Sequence, residues 1–450
     1  MKVREDSVMG TKKRVFASVF AVLLAVSLSA CGGGNSSNSN AEATGKGSEG
    51  TGGNANEKVK LKVYAQHFDD DTSKPFDYAV AELAKEMPNV EIELDPAVQD
   101  GNQKLRTYAA TGNMPDIYFT DWKTLQTFIK SKNVLLLDDY KAAKEYKDNL
   151  NPGVESKLIA PDGHIYAFPD TGVEFQLLYY NKKVFQDAGI SVPIKTIDEL
   201  VDAAKKLKSA GYVPLSIFAK EKWITTAFYN ALLTREDGIG TAVFEKDTPV
   251  ATPKSAITAA EQMKKLQEAG LFDVNATNTN YDQASSLFYT GKAAMFINGQ
   301  WEIYSSQEKM GDNVDFMYWP AKDEATYEDM KLQLAGSGSP QGYAVSPQSK
   351  NIDVAVEVAA LLARKSAEYK YTQLGNPIVS PKIDKPVVAA NVPAMMQRLA
   401  KEVLPNAKGY AVAVNSTEIS NAIDDNAQNL IVNGFKVDDF INNMNRILKK

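Results

Sequence analysis

The chain has 450 residues, with 50 lysines and arginines against 56 acids and a formal charge of −6. An acidic balance argues against nucleic acid as the main partner, because holding phosphates needs clustered cations. The single cysteine excludes a disulfide within the chain, and two histidines supply little material for a zinc site.

Residues 1–30 have the three-part order of a secretory signal. Lys2, Arg4, Lys12, Lys13 and Arg14 form a basic start, 15–26 is an apolar run, and Ser29-Ala30 is a small-residue exit. The run is well short of the roughly 20 residues that a spanning helix needs. Met9 is an alternative start. Cys31 follows directly, either a leftover thiol at the edge of the leader or an attachment point. Leu28-Ser29-Ala30-Cys31 resembles the lipobox of bacterial lipoproteins. That resemblance implies cleavage before Cys31 and a diacylglyceryl group on its sulfur. Residues 32–56 contain no aromatic residue and no Leu, Ile, Val or Met. Such a segment cannot offset its ordering entropy, and is expected to be a disordered tether reaching about 25–30 Å.

Folded sequence is expected from Glu57 to Lys450, too long for one ordinary core, so two domains are expected. Without the leader the charge is −9, from 45 basic against 54 acidic residues. No later segment is long and apolar enough to span a membrane.

In chain order, 59–65 alternates as a strand, 76–87 has helical spacing, and 90–94 alternates again. A helical pattern over 105–110 is broken by Gly112 and Pro115, and 116–119 is a short apolar strand. Strands are also expected at 177–180, 213–217 and 294–297. Thr196 and Glu199 form a capping box that opens a helix running to about Ser209. Further helices are expected at 255–269, 354–367 and 437–448. Alternating strands and helices define an α/β protein with a largely parallel sheet. No internal repeat is present.

Catalytic patterns are thin. His67 and His164 lie almost a hundred residues apart, outside any H-x-x-x-H spacing, and G-x-S-x-G is absent. No metal site and no cofactor are expected. Asp69-Asp70-Asp71 lacks EF-hand spacing and is expected to be a solvated acidic loop. Gly336-Ser337-Gly338-Ser339-Pro340-Gln341-Gly342 lacks the phosphate-loop pattern, which leaves a close backbone approach to a ligand or a mobile turn. Tryptophans beside polar loops stand out instead: Trp122 after Asp121, Trp223 in Lys220-Glu-Lys-Trp, and Trp301 after Asn298-Gly-Gln. Flat rings can stack on sugar C–H faces while amides and carboxylates take the hydroxyls. Each ring alone is equally at home in a core.

Four stretches, spread from Asp162 to Lys350, resemble the carbohydrate-binding solute receptors of ABC importers, the group that includes maltose-binding protein. They are Asp162–Pro169 with Leu177–Phe185, Ala188–Leu200, Phe288–Trp301, and Ala335–Gly338 with Tyr343–Lys350. The resemblance implies a two-lobed periplasmic-binding-protein type II fold with a hinge and a ligand cleft. Both lobes are then discontinuous: 57–172 with 302–372, and 173–301 with 373–450. It implies that Trp301 stacks on sugar and that Glu174 is an acidic cleft residue. By position it adds Asp121, Trp122, Trp223, Gln66, His67 and Ser337 as ligand contacts.

The implied function is a lipid-anchored, non-enzymatic, monomeric receptor on the outer face of a bacterial membrane, the anchor favouring a Gram-positive cell. It would capture a carbohydrate, an oligosaccharide by preference, and deliver it to a permease. The competing readings are a secreted carbohydrate-active enzyme and a surface receptor for a non-sugar solute.

Overall fold

The computed structural model describes residues 58–410 and 414–449. Cys31 and the leader and tether expectations lie outside these residues. Twelve strands follow in chain order: β1 (Val59–Ala65), β2 (Val90–Pro96), β3 (Ile117–Thr120), β4 (Ala167–Phe168), β5 (Glu174–Asn181), β6 (Val213–Ser216), β7 (Ala293–Gly299), β8 (Val314–Met317), β9 (Gln333–Leu334), β10 (Gly336–Ser337), β11 (Gly342–Val345) and β12 (Gly409–Tyr410).

Two five-stranded sheets result. The first runs β2-β1-β3-β11-β4, with β1 parallel to β2 and β3 and β11 antiparallel to β3 and β4. The second runs β10-β5-β7-β6, with β8 on β5; β6 and β7 are parallel, and β5 runs against β7. β9 and β12 form a separate short pair. Val63, Tyr64 and Ala65 are all fully buried, as expected where a central strand is covered on both faces. All seven residues of β7 are buried for the same reason.

Each sheet has its own core. Leu61, Val63, Phe76, Ile117 and Val345 pack with the helix Ile352–Leu374 in one. Leu178, Phe228, Phe296, Ile303 and Phe440 anchor the other. This is the α/β, two-lobed architecture. One boundary differs from the expectation. Residues 302–372 were assigned to the first lobe, yet Ile303, Val314, Phe316 and Leu334 pack in the second core and β8 pairs with β5. The chain re-enters the first sheet only at β11. The apolar alternation of 314–317 satisfies either core, so the sequence pattern alone does not choose.

Three segments cross between the lobes: Pro169–Val173, Gly338–Gln341, and the stretch after Leu374. Two are tied backbone to backbone, because Thr171 bridges Val379. Ser380 Oγ donates to the Pro169 and Thr171 carbonyls at 3.0 and 2.5 Å. The glycines that bound the second crossing are explained here. A Cβ on Gly336 would lie 2.1 Å from the Glu174 carbonyl oxygen, and one on Gly342 2.1 Å from that of Phe168. The close backbone approach at this run is therefore made to β4 and β5, where the expectation is a ligand or a mobile turn.

The acidic run Asp69–Asp71 also differs from its expectation. Asp69 caps the helix Asp70–Glu86 in a capping box with Thr72, and Asp70 and Asp71 form its first turn, where negative charge is favourable. Among the described residues, no helix is long and apolar enough to cross a membrane.

Candidate functional site

In each lobe the loops that leave the carboxyl ends of parallel strands carry the sequence-expected residues. Ligands of open α/β sheets bind in crevices outside those ends. In the first lobe, β1 leads to Gln66 and His67, and β3 to Asp121 and Trp122. In the second, β6 leads through Phe218 to Trp223, β7 leads to Trp301, and β5 starts at Glu174 beside the end of β7.

The elements after these strands meet across the lobes. Ser305 Oγ, in the helix Glu302–Met310, donates to Asp71 Oδ2 at 2.9 Å. Lys123, in the helix Trp122–Ser131, pairs with Asp424 Oδ2 at 2.6 Å; the other Asp424 oxygen accepts from Thr226 Oγ1 at 2.6 Å. Gln126 Oε1 accepts from Thr417 at 3.1 Å. Helices of the two lobes thus touch at these points.

Trp301 and Trp223 come together directly. Their ring centroids are 6.3 Å apart and tilted by 46°. Trp223 remains 39% exposed and Trp301 half-buried, so ring surface is left for a ligand. Phe218, itself buried, meets Trp223 edge-on at 5.3 Å from beneath. Two features set the Trp301 ring. A Cβ on Gly299 would lie 2.1–2.3 Å from its six-membered ring, so the indole folds over a residue that must lack a side chain. Gln300 locks the intervening backbone: its Oε1 accepts from the Phe175 N–H at 3.0 Å and its own N–H donates to the Phe175 carbonyl at 3.2 Å.

Behind Trp301 stands Glu302, fully buried. Its carboxyl accepts from Tyr281 (2.7 Å), Tyr289 (2.6 Å), Asn298 (3.0 Å) and Ser306 (2.6 Å). Burial pushes this carboxyl above the ordinary glutamate value, and the four donors oppose that push. Asp71, across the lobe contact, is pushed up to about 8, by burial first and then by the charges of Glu302 and Asp69. Tyr304 contributes a buried hydroxyl without a partner.

Glu174 ties the crossings together. Its Oε2 accepts from Gln341 Nε2 at 2.6 Å and lies 3.5 Å from the Nζ of fully buried Lys157. Burial holds the Lys157 ammonium below its usual value, opposed by Glu174 and Asp170.

The other expected residues are placed as follows. Gln66 is exposed. His67 Nε2 donates to Asp77 Oδ1 at 2.9 Å, and its ring meets Phe76 edge-on. Asp121 caps its helix, accepting from the Thr124 N–H at 2.8 Å and from Asn102 Nδ2 at 2.7 Å. Trp122 packs in a core with Tyr64, Leu105, Tyr118 and Phe128, and its indole N–H is buried without a partner. Ser337 pairs through its backbone with Glu174; its side chain lies outside the described residues. Of the eight, Trp301 and Trp223 meet ring to ring, and Ser337 pairs with Glu174 through the backbone. Sequence reasoning missed Glu221, Gly299, Asp71, Lys157, Glu302 and Ser305. Glu302 carried one available signal, an acid at the start of a helix immediately after the buried strand β7.

Among the described residues no group of three or more His, Cys, Asp and Glu is placed to hold a metal.

Two α/β lobes joined by three crossings define a two-lobed architecture. The model of the family described as bacterial extracellular solute-binding protein matches residues 69–369, and the chain belongs to that family. It is 27% identical over 269 residues to an uncharacterized ABC transporter extracellular-binding protein of Pyrococcus horikoshii. That match covers 57% of this chain and 59% of the relative, so it spans about three fifths of the relative's length. A structure from work on xylan utilization by the thermophilic bacterium Caldanaerobius polysaccharolyticus matches with a TM-score of 0.72 at 23% identity, over 86% of this chain and all of the other. A chitin oligosaccharide binding protein matches with a TM-score of 0.70 at 23% identity, over 87% and 98% of the two chains. At these identities the likeness is one of fold.

Proposed function

We propose that this protein is a non-enzymatic receptor that takes a carbohydrate, by preference an oligosaccharide, between its lobes and passes it to an ABC permease. The observation that carries this reading is the Trp223–Trp301 pair, part-exposed at the cleft edge and held by Gly299 and Phe218. Two rings side by side offer stacking faces to consecutive sugar units, and large rigid rings lose little conformational entropy on binding. The xylan and chitin-oligosaccharide contexts of the similar structures support the same class of ligand.

Bound ligand bridges the lobes and favours the closed form by its differential affinity. In this reading Glu174 supplies an acceptor near the cleft floor, and Gln66, His67, Asp121, Trp122 and Ser337 line or support the cleft. The chain works as a monomer outside the cell, tethered by a lipid on Cys31 to the membrane of a Gram-positive bacterium. Titration of the protein against a glycan panel, with product analysis, tests the reading. Saturable binding that raises the melting temperature and leaves the glycan intact is expected. Turnover of the glycan, or no binding by any, refutes it. Mass analysis of the membrane-extracted protein tests the anchor: unmodified Cys31 refutes it.

A further inference from the structure

The charges around the indole pair bear on which sugars it accepts. Glu221 sits two residues before Trp223, and its Oε2 accepts from the Trp223 indole N–H at 2.8 Å. The other oxygen, Oε1, is shielded from water and has no hydrogen-bond partner. Only one cation acts on this carboxylate among the described residues, the exposed Lys220, while Asp282 adds a second negative charge. Three other lysines are already paired with carboxylates. Lys123 pairs with Asp424 at 2.6 Å, Lys222 with Asp425 at 2.5 Å, and buried Lys157 lies 3.5 Å from Glu174.

An anionic group stacked here would face a half-desolvated carboxylate, with exposed Lys220 as the one cation acting beside it. Like charges brought together at a desolvated contact repel, and such repulsion is a common source of specificity. A hydroxyl or ammonium meets no such repulsion.

We propose that the Trp223–Trp301 subsite takes neutral or amino sugars and rejects anionic ones, with Glu221 as the residue that sets this choice. This rests on the carbohydrate reading above and narrows it to a charge class. Phosphorylated and uronic-acid ligands are excluded. Glu221 also positions the Trp223 ring, and the two roles separate in Glu221→Gln, which keeps an acceptor for the indole N–H and removes the charge.

The test is isothermal titration of the full chain and of E221Q near pH 7.5. The probes are chito- and xylo-oligosaccharides (neutral), chitosan oligosaccharides (amino), and oligogalacturonate and glycerol 3-phosphate (anionic). The wild type is expected to bind a neutral or amino probe roughly a hundredfold or more tighter than any anionic one. In E221Q that ratio is expected to fall by about tenfold or more. An anionic probe bound as tightly as a neutral one overturns the charge selectivity and leaves the carbohydrate reading standing. An unchanged ratio in E221Q overturns the role of Glu221, reducing it to a support for Trp223. Binding of glycerol 3-phosphate with no glycan bound overturns both readings.

Discussion

The Ser305 hydroxyl donates to Asp71 Oδ2 at 2.9 Å, joining the helix after β1 of one lobe to the helix after β7 of the other. The same carboxyl is pushed up to about 8 by burial and by Glu302 and Asp69, with Lys370 opposing. In an unfolded chain an aspartate has its ordinary value, near 4. Below about pH 4 it is protonated in both states and carries no penalty. As pH rises from about 4 to about 8, the folded form must hold a proton that the unfolded form releases, so its advantage declines. The melting temperature is therefore expected to fall across that window. Asp71→Asn should flatten the pH slope and raise the melting temperature near pH 8. The same slope in the variant would sink this assignment.

Gly299→Ala is expected to push the Trp301 ring off its seat, because no methyl group fits 2.1 Å from the indole. Glycan affinity should drop by roughly tenfold or more. Far-UV circular dichroism should stay unchanged, while tryptophan fluorescence shifts. Wild-type affinity in this variant would show that the ring position does not matter for binding.

Trp301→Ala and Trp223→Ala should each weaken glycan binding by roughly tenfold to a hundredfold, as truncation of aromatic anchors does. Because the two rings touch, the losses should not add. A double-mutant cycle by calorimetry checks this, and strict additivity would mean that the rings act on separate sugar units without cooperation.

Glu302→Ala leaves the Tyr281 and Tyr289 hydroxyls, the Asn298 amide and the Ser306 hydroxyl without their acceptor. Stranding several buried donors is expected to destabilise the fold by on the order of 3–5 kcal/mol. Glu302→Gln keeps an acceptor oxygen and should cost less. Chemical denaturation compares the two, and a loss below about 1 kcal/mol for the alanine variant would contradict the network.

The α/β rhythm was legible because periods of 2 and 3.6 leave clear marks: β1, β7 and the Thr196–Glu199 cap follow directly from residue order. Trp301 and Trp223 were also legible, as aromatic residues in polar loops. Trp122 shows the limit of that signal. The same aromatic-after-aspartate pattern there packs inward, because Asp121 is used to cap the helix and the next side chain turns toward Tyr118 and Phe128. The Asp69–Asp71 run was misread because an acidic loop and an acidic helix start share one composition; only the Thr72 side chain, returning its bond to the Asp69 backbone, separates them. Contacts such as Asp71 with Ser305 or Lys123 with Asp424 join residues more than two hundred positions apart. No local pattern encodes them.

Trp301 and Ser305 lie four residues apart, on a helix whose first residue, Glu302, is fixed by four hydrogen bonds. One turn of backbone thus separates the group proposed to touch the sugar from the group that touches the other lobe. A substitution that re-aims the ring for a new ligand also tilts the latch. Dietary range and the ease of shutting are therefore expected to drift together in descendants of this sequence, and a lineage that changes its sugar would have to retune Asp71 or its neighbours in the same step.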